Sequence, residues 1–440
     1  MLSEDVLKRM KEDEVKYINL QFVDLMGVVK EVVIPSGKLE EALQMGLWFD
    51  GSSVEGFARI QESDLFLKPD PSTYALIPWL SEGGGKCARL ICDIYSSDGK
   101  PFPGDPRHIL KRAIKRAEEE GFRFFVGPEP EFYIFRRERP REITDRQSYF
   151  DLISEGNYTL LKNIITALKS FGIEAETSHH EVGPGQYEID FRYGDSLCVA
   201  DKLLTLKYTV KTLSGREGYH ATFMPKPLMG MPGSGMHVHQ SLFEVGGKNA
   251  FYDPADPYGL SDVAYHFIGG QIKHIKAMCA ILAPTDNSYK RLVSGFEAPI
   301  YITWARMNRS ALIRVPGWFE GKGESARVEL RCPDSTSNPY LAFAVMLMAG
   351  LDGVKKKVDP PPPTEENTYT MSRETLEENG IDTLPSTLYE ALEEYLKDEI
   401  TRETFGDYLY RRYYEVKMRE WEEYSTHVSD WEIEKYYQTY

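Results

Sequence analysis

Four short segments of this chain put charged side chains at every second position, and that pattern constrains the fold more than any other feature. A β-strand sends alternate side chains to the same face. GPEPEFYIF (127–135) therefore sets Glu129 and Glu131 on one side and Phe132 and Ile134 on the other. In QYEIDFRY (186–193), Glu188, Asp190 and Arg192 share a face opposite Tyr187, Ile189 and Phe191. In GMHVHQS (235–241), His237, His239 and Ser241 point together, and in ARVELRC (326–332), Arg327, Glu329 and Arg331 oppose Val328 and Leu330.

Taken singly, each segment is an amphipathic strand with one wet face. Gathered into one sheet, they would crowd carboxylates, imidazoles and guanidinium groups onto a single surface, and like charges so close need a cation to hold them. Oxygen donors with one or two imidazoles suit Mg²⁺ or Mn²⁺ better than zinc. Two such ions bridging phosphates beside arginines form the arrangement that phosphoryl transfer requires. Neither a G-x-x-x-x-G-K-[ST] nor a G-x-G-x-x-G loop occurs; GWFEGKG (317–323) comes nearest to the first and fails. A nucleotide would thus be held by the sheet and its metals.

At 440 residues the chain is long enough for two domains. Residues 16–34 read as two strands around Gly27, followed by a short helix over 37–45. The Gly/Pro/Ser-rich stretch SSDGKPFPGDP (96–106) is the candidate boundary. Asp105-Pro106 then caps a helix with apolar residues at 109, 110, 113, 114 and 117. Helical stretches over 158–171 and 198–215 alternate irregularly with strands, which gives an α+β class. The apolar run 341–351, opened by Ser337-Asn338-Pro339, is too short to span a membrane and reads as a buried core helix. Four prolines at 360–363 mark an exposed connection to a helical, Glu-rich C-terminal part.

A formal net charge of -16 and the lack of a basic stripe argue against a nucleic-acid partner; Lys111-Arg112 and Lys115-Arg116 read as a helix's solvated face. The polar N-terminus has no apolar signal segment, so a cytoplasmic location without a membrane partner is expected. Five scattered cysteines form no C-x-x-C pair and are expected to be reduced thiols.

The chain resembles type I glutamine synthetases along its whole length. FDGSS (49–53), ESDLFL (62–67), KPLMGMPGSGMHVHQS (226–241), KRLVSGFEAP (290–299), NRSALIRVP (308–316) and RVELRCPD (327–334) are similar to that family's ordered motifs. The resemblance implies a small β-grasp domain (1–102) and a larger catalytic domain (103–440) with an antiparallel sheet lining a two-metal site, assembled as two stacked six-membered rings. It implies one metal held by Glu131, Glu181 and Glu188 and another by Glu129, His237 and Glu329. ATP would phosphorylate the side-chain carboxylate of L-glutamate, and ammonia would displace the phosphate. Glu176, His239 and Ser241 would contact the nucleotide, Arg309 and Arg314 the moving phosphoryl group, and Gly233, Arg291 and Arg331 the glutamate. Asp50 would take ammonium, with Tyr149 nearby and Asp64 supporting, and Glu297 would close over the site.

Two departures from the family pattern stand out. Pro232 stands where asparagine is usual, removing an amide side chain and a backbone N–H near the substrate's amino group, and Gln147-Ser148 replaces paired glycines. LPSTLYEALEEY (384–395) lacks the adenylylation-loop pattern, while Arg59, with Glu420 as partner, sits where the feedback-inhibited subclass has an arginine. Nitrogen-regulatory proteins or metabolite effectors are the partners such control implies. The competing readings are a γ-glutamyl ligase for polyamines or other amines, and a non-catalytic scaffold or sensor.

Overall fold

The computed structural model describes every residue except 1, 55, 57–63, 81–84, 140, 297 and 318–322. Six strands, β1 (Val15–Val23), β2 (Val29–Pro35), β3 (Leu47–Asp50), β4 (Asp64–Pro69), β5 (Ala75–Leu76) and β6 (Lys86–Ser96), build an N-terminal sheet in the order β2-β1-β6-β4-β3, with β5 also on β6. The β1–β6 pair is parallel and the others are antiparallel. The two expected strands around Gly27 are β1 and β2, and the expected short helix is Leu39–Met45 after a 3₁₀ turn at Ser36–Lys38. Ile18, Leu20, Leu65, Leu67, Leu90 and Ile94 fill a core of this unit's own.

A second sheet follows: β7 (Phe122–Arg136), β8 (Ala175–His180), β9 (Gln186–Phe191), β10 (Gly194–Asp195), β11 (Tyr219–Thr222), β12 (Met236–Glu244), β13 (Trp304–Ala305), β14 (Ile313–Arg314) and β15 (Val328–Leu330). Its order is β13-β14-β15-β12-β7-β9-β8, with β10 and β11 also on β7, and only β13–β14 is parallel among the described residues. Long β7 is the spine. Phe124, Val126, Phe132 and Ile134 face the large core, where the helices Pro106–Glu119 and Ser196–Arg216 pack on β7.

The helix starting at Pro106 is capped by Asp105, whose carboxylate takes the Arg107 N–H. That helix also ties the two units together. Buried Arg107 pairs with Asp70 and Asp93 of the N-terminal unit and with Asp201 behind it, at 2.8–2.9 Å. Breaking such a buried pair strands a charge and costs about 3–5 kcal/mol. The apolar run expected as a core helix is the middle of Pro339–Lys356, buried from Pro339 to Gly353 and packed on the helix Asp262–Leu282. No helix among the described residues is long and apolar enough to cross a membrane. Residues 361–363 are exposed, and the helices Leu388–Lys397, Glu399–Ser425 and Asp430–Tyr436 close the chain.

Candidate active site

Two prolines in a central strand are unusual, because each lacks the N–H that a ladder needs. The arrangement of β7 explains them. Its Glu131 N–H donates to the Gly235 carbonyl on the β12 side, and its Ile134 N–H donates to Gly185 on the other side. Alternation aims positions 128 and 130 away from β12. On that edge no described strand pairs with residues 127–130, since β10 ends its pairing at Val126 and β9 begins at Glu131. Pro128 and Pro130 thus fall where no donor is required, and Gly127, Pro128 and Glu129 line a cavity.

The four alternating segments do share this sheet. His237 stands opposite Glu129, His239 opposite Glu329, and Glu131 opposite Glu188, which also faces His179. One expected participant is missing. Strand β9 stops at Phe191, so Arg192 leaves the alternation and is exposed, its N–H bonded to the Glu174 carbonyl.

On the β12 and β15 side, acids interleave with bases. Glu129, His237 and Glu329 bring ligand atoms within 4.8 Å of one another. His239 Nε2 lies 2.7 Å from Glu129 Oε1, while Arg314 and Arg331 donate to the two oxygens of Glu329 at 2.8 and 2.6 Å. Burial would raise both carboxylates, but the bases outweigh it. Hydrogen bonds to His237 and His239 hold Glu129 below its ordinary range, and the charges of His239, His237, Arg331 and Arg314 do the same for Glu329. Burial beside Arg331 pushes His237 down, favouring the neutral imidazole that can ligate a metal.

On the β9 and β8 side, acids face acids. Burial, with the charge of Glu181, pushes Glu131 up to about 7. Burial, with Asp190 and Glu131 nearby, pushes Glu188 well above its ordinary value, and burial raises Asp190 as well. Carboxylates packed this way stay charged only with a cation among them. One trio here, His179, Glu188 and Asp190, again brings ligand atoms within 4.8 Å of one another, with the expected Glu131 and Glu181 lining the same cavity. His179 Nε2 sits 2.9 Å from Glu181 Oε1 and 3.8 Å from Glu188 Oε1, so all five groups belong to one cluster.

These acids line a cavity of about 820 Å³ whose walls include Gly233, Arg291, Arg309, Arg314, Arg331 and Tyr149. A neighbouring cavity of about 690 Å³ shares Glu129, Thr177 and Asp190 with it and holds Glu176, His239, Ser241 and Arg327. Residues expected at glutamate thus line the first cavity, and those expected at the nucleotide line the second. Glycine is required beside Arg291: a Cβ at 233 would lie 2.7 Å from its Cγ, and one at 235 would lie 2.5 Å from its Nη2. Arg291 donates to the carbonyls of Arg331, Cys332 and Pro333, which leaves Nε and one Nη2 hydrogen uncommitted among these bonds. The buried Nε of Arg331 has no partner. Pro232 is held through its carbonyl, which takes the Tyr133 hydroxyl at 2.8 Å.

Other expected residues lie elsewhere. Asp50 and Asp64 face each other across β3 and β4, both exposed and on neither cavity. Hydrogen bonds from the Ser52 hydroxyl and N–H hold the Asp50 carboxyl below its usual range. Tyr149 is 41% exposed and meets the His179 ring edge-on at 5.7 Å. Glu420 takes the ammonium of buried Lys417 at 2.8 Å, away from both cavities. Arg59 and Glu297 lie outside the described residues. Sequence reasoning gave no role to His179, Asp190, Arg327 or Gln186. Asp190 and Arg327 stood on the alternating faces already, and His179 continues a period-two run from Thr177 to Glu181 that was readable in ETSHHE.

Two family models cover the chain: one described as glutamine synthetase, beta-Grasp domain, matches residues 14–97, and one described as glutamine synthetase, catalytic domain, matches 103–436. A protein named glutamine synthetase from Clostridium saccharobutylicum is 49% identical over 442 residues, 99% of each chain. Another of that name from Methanosarcina mazei is 49% identical over 438 residues, 98% of this chain and 97% of the relative. A solved structure described as a GmaS/ADP complex shares the fold with a TM-score of 0.89 at 30% identity, covering 99% of both chains. A cryo-EM structure of Plasmodium falciparum glutamine synthetase gives 0.89 at 26% identity, again covering 99% of both.

Proposed function

Since the chain belongs to the glutamine synthetase family, we infer from its cleft how its residues divide the work of that family's reaction. The reaction is the ATP-dependent ligation of ammonia to the γ-carboxylate of L-glutamate through a γ-glutamyl phosphate, giving L-glutamine, ADP and phosphate. It uses divalent metal ions. The N-terminal sheet is the β-grasp domain, and we take its boundary at 102/103.

The donor set fits Mg²⁺ or Mn²⁺: carboxylates with at most one imidazole per cluster are hard ligands. Glu129, His237 and Glu329 would hold one ion. Glu131, Glu181 and Glu188 would hold the other, with His179 and Asp190 close enough to share in it. When bound, these ions neutralise the phosphates and polarise the phosphoryl group. Arg291 and Arg331 hold the carboxylate groups of glutamate against the Gly233 backbone, and the partnerless Nε of Arg331 supports that role. Glu176, His239 and Ser241 seat the nucleotide, which delivers its γ-phosphoryl group toward Arg309 and Arg314. The γ-carboxylate oxygen of glutamate attacks that phosphorus and ADP departs. Ammonia then attacks the acyl carbon and releases phosphate.

Asp50 takes a proton from ammonium, with Asp64 behind it and Tyr149 facing it. Because Asp50 and Asp64 touch neither cavity of their own chain, they serve the cleft of a neighbouring subunit, in keeping with a dodecamer of two stacked hexameric rings. Glu297 covers the acyl phosphate against water. We place the chain in the type I, unadenylylated, feedback-inhibited subclass, cytoplasmic, with Arg59 and Glu420 as its regulatory pair. An Arg59→Ala variant as glutamine-sensitive as wild type would remove that pair.

The observation carrying this reading is the single cleft in which an acid-base trio and an uncompensated acid cluster meet four arginines. An ADP-release assay with glutamate, ATP and Mg²⁺, comparing ammonia with putrescine, tests it, alongside a size measurement. Turnover with ammonia by a large oligomer is expected. Turnover with putrescine alone would make the protein an amine ligase instead.

A further inference from the structure

Gln186 is 1% exposed at the start of β9, between the acid cluster and the glycine turn 233–235. Its carboxamide orientation is fixed chemically, because Oε1 accepts the Gly183 N–H at 3.0 Å and the NH₂ end must therefore face the other way. That end lies 3.0 Å from Glu131 Oε2, 3.0 Å from the Gly233 carbonyl and 3.2 Å from Ser234 Oγ. The same Glu131 oxygen also takes the Gly235 N–H at 3.0 Å. With Oε2 engaged twice, Oε1 is the oxygen left for the cavity. One buried amide therefore fixes both which oxygen Glu131 presents and how the turn beside Arg291 lies.

We propose that Gln186 is a positioning residue that couples cation binding at Glu131 to glutamate binding at the Gly233 turn. This rests on the reading of the cleft given above. The coupling follows from geometry: a cation drawing Glu131 into one orientation tightens the Gln186 amide, and the amide holds the Gly233 carbonyl in the position glutamate meets. It also accounts for the tolerance of Pro232, since the turn is anchored by Gln186 and Tyr133 through backbone carbonyls without a side-chain amide at 232.

The test uses the full-length oligomer with Gln186→Met, which keeps length and bulk but donates nothing, and Gln186→Glu, which keeps the acceptor for Gly183 and sets a carboxylate against Glu131. Calorimetry with Mn²⁺ alone, without turnover, is expected to show affinity weakened about 10- to 100-fold in both variants, the range for residues that orient a metal ligand. Glutamate binding should weaken by a similar factor. The KM for ATP should stay within about twofold and the melting temperature of the metal-free protein within about 2 °C, about 1 kcal/mol or less. Equal loss in ATP and glutamate parameters with a large fall in melting temperature would make Gln186 merely structural and overturn the proposal, as would unchanged Mn²⁺ and glutamate affinities. Wild-type protein that forms no glutamine would instead overturn the assignment of the cleft, and the calorimetric arms still decide the role of Gln186.

Discussion

The two halves of the cleft handle negative charge in opposite ways. Around Glu329 and Glu129 every carboxylate has a base beside it, from His237, His239, Arg314 or Arg331, and the acids are held ionised. Around Glu188 the neighbours are Glu131, Glu181 and Asp190, with His179 as the closest base, and Glu131, Glu188 and Asp190 are pushed toward neutrality. The first half is built into the fold as an ion-pair network. The second is under-compensated until a cation arrives, so metal loading should matter more for its order and charge.

The largest effect should come from removing an acid of the under-compensated half. Glu131→Ala is expected to leave roughly 1% or less of metal-dependent turnover, beyond the loss typical of residues that merely orient ligands; near-normal ADP release would show that this half holds no essential ion. The sharpest separation is in stability without metal. Glu329→Gln strips its counter-charge from Arg314 and Arg331 and should destabilise the protein by about 3 kcal/mol. Glu188→Gln relieves crowding among buried acids and should stabilise it by about 1 kcal/mol. Denaturant titration of both variants in chelator checks the signs, and a like sign in both would erase the contrast.

A smaller effect is expected from pH. Glu131 ionises near 4.5 when unfolded and near 7 when folded without metal, so between those values the native state binds more protons. Stability of the metal-free protein should then fall as pH rises from about 4.5 to 7 and level off above. Mn²⁺ should flatten that slope, and its binding near pH 6.5 should release protons, measurable as a dependence of calorimetric heat on buffer. Binding without proton release would place Glu131 among the permanently ionised acids.

Much of this site was readable from the sequence because a strand's period of two is local: Glu129 with Glu131, and His237 with His239, needed only their own segments. Register was not readable. That His237 faces Glu129 and Glu131 faces Glu188 depends on pairing across roughly a hundred and roughly sixty intervening residues, respectively. Arg192 shows the limit of the rule, since alternation holds only while the strand does and β9 ends one residue earlier. Gln186 went unnoticed for another reason. A neutral amide carries no charge signal, and its importance lies in partners on strand β7, in the 233–234 turn and at nearby Gly183, most of them far away in the chain.

Pro128 and Pro130 have a consequence beyond tolerating a gap. An unpaired stretch of strand edge usually invites another extended segment to add itself, the first step toward misassembly. This stretch offers no N–H at either outward position, so a would-be strand finds acceptors without the alternating donors it needs. The unpaired edge beside the cavity thereby gives an added strand no regular ladder to join, through what its backbone cannot do.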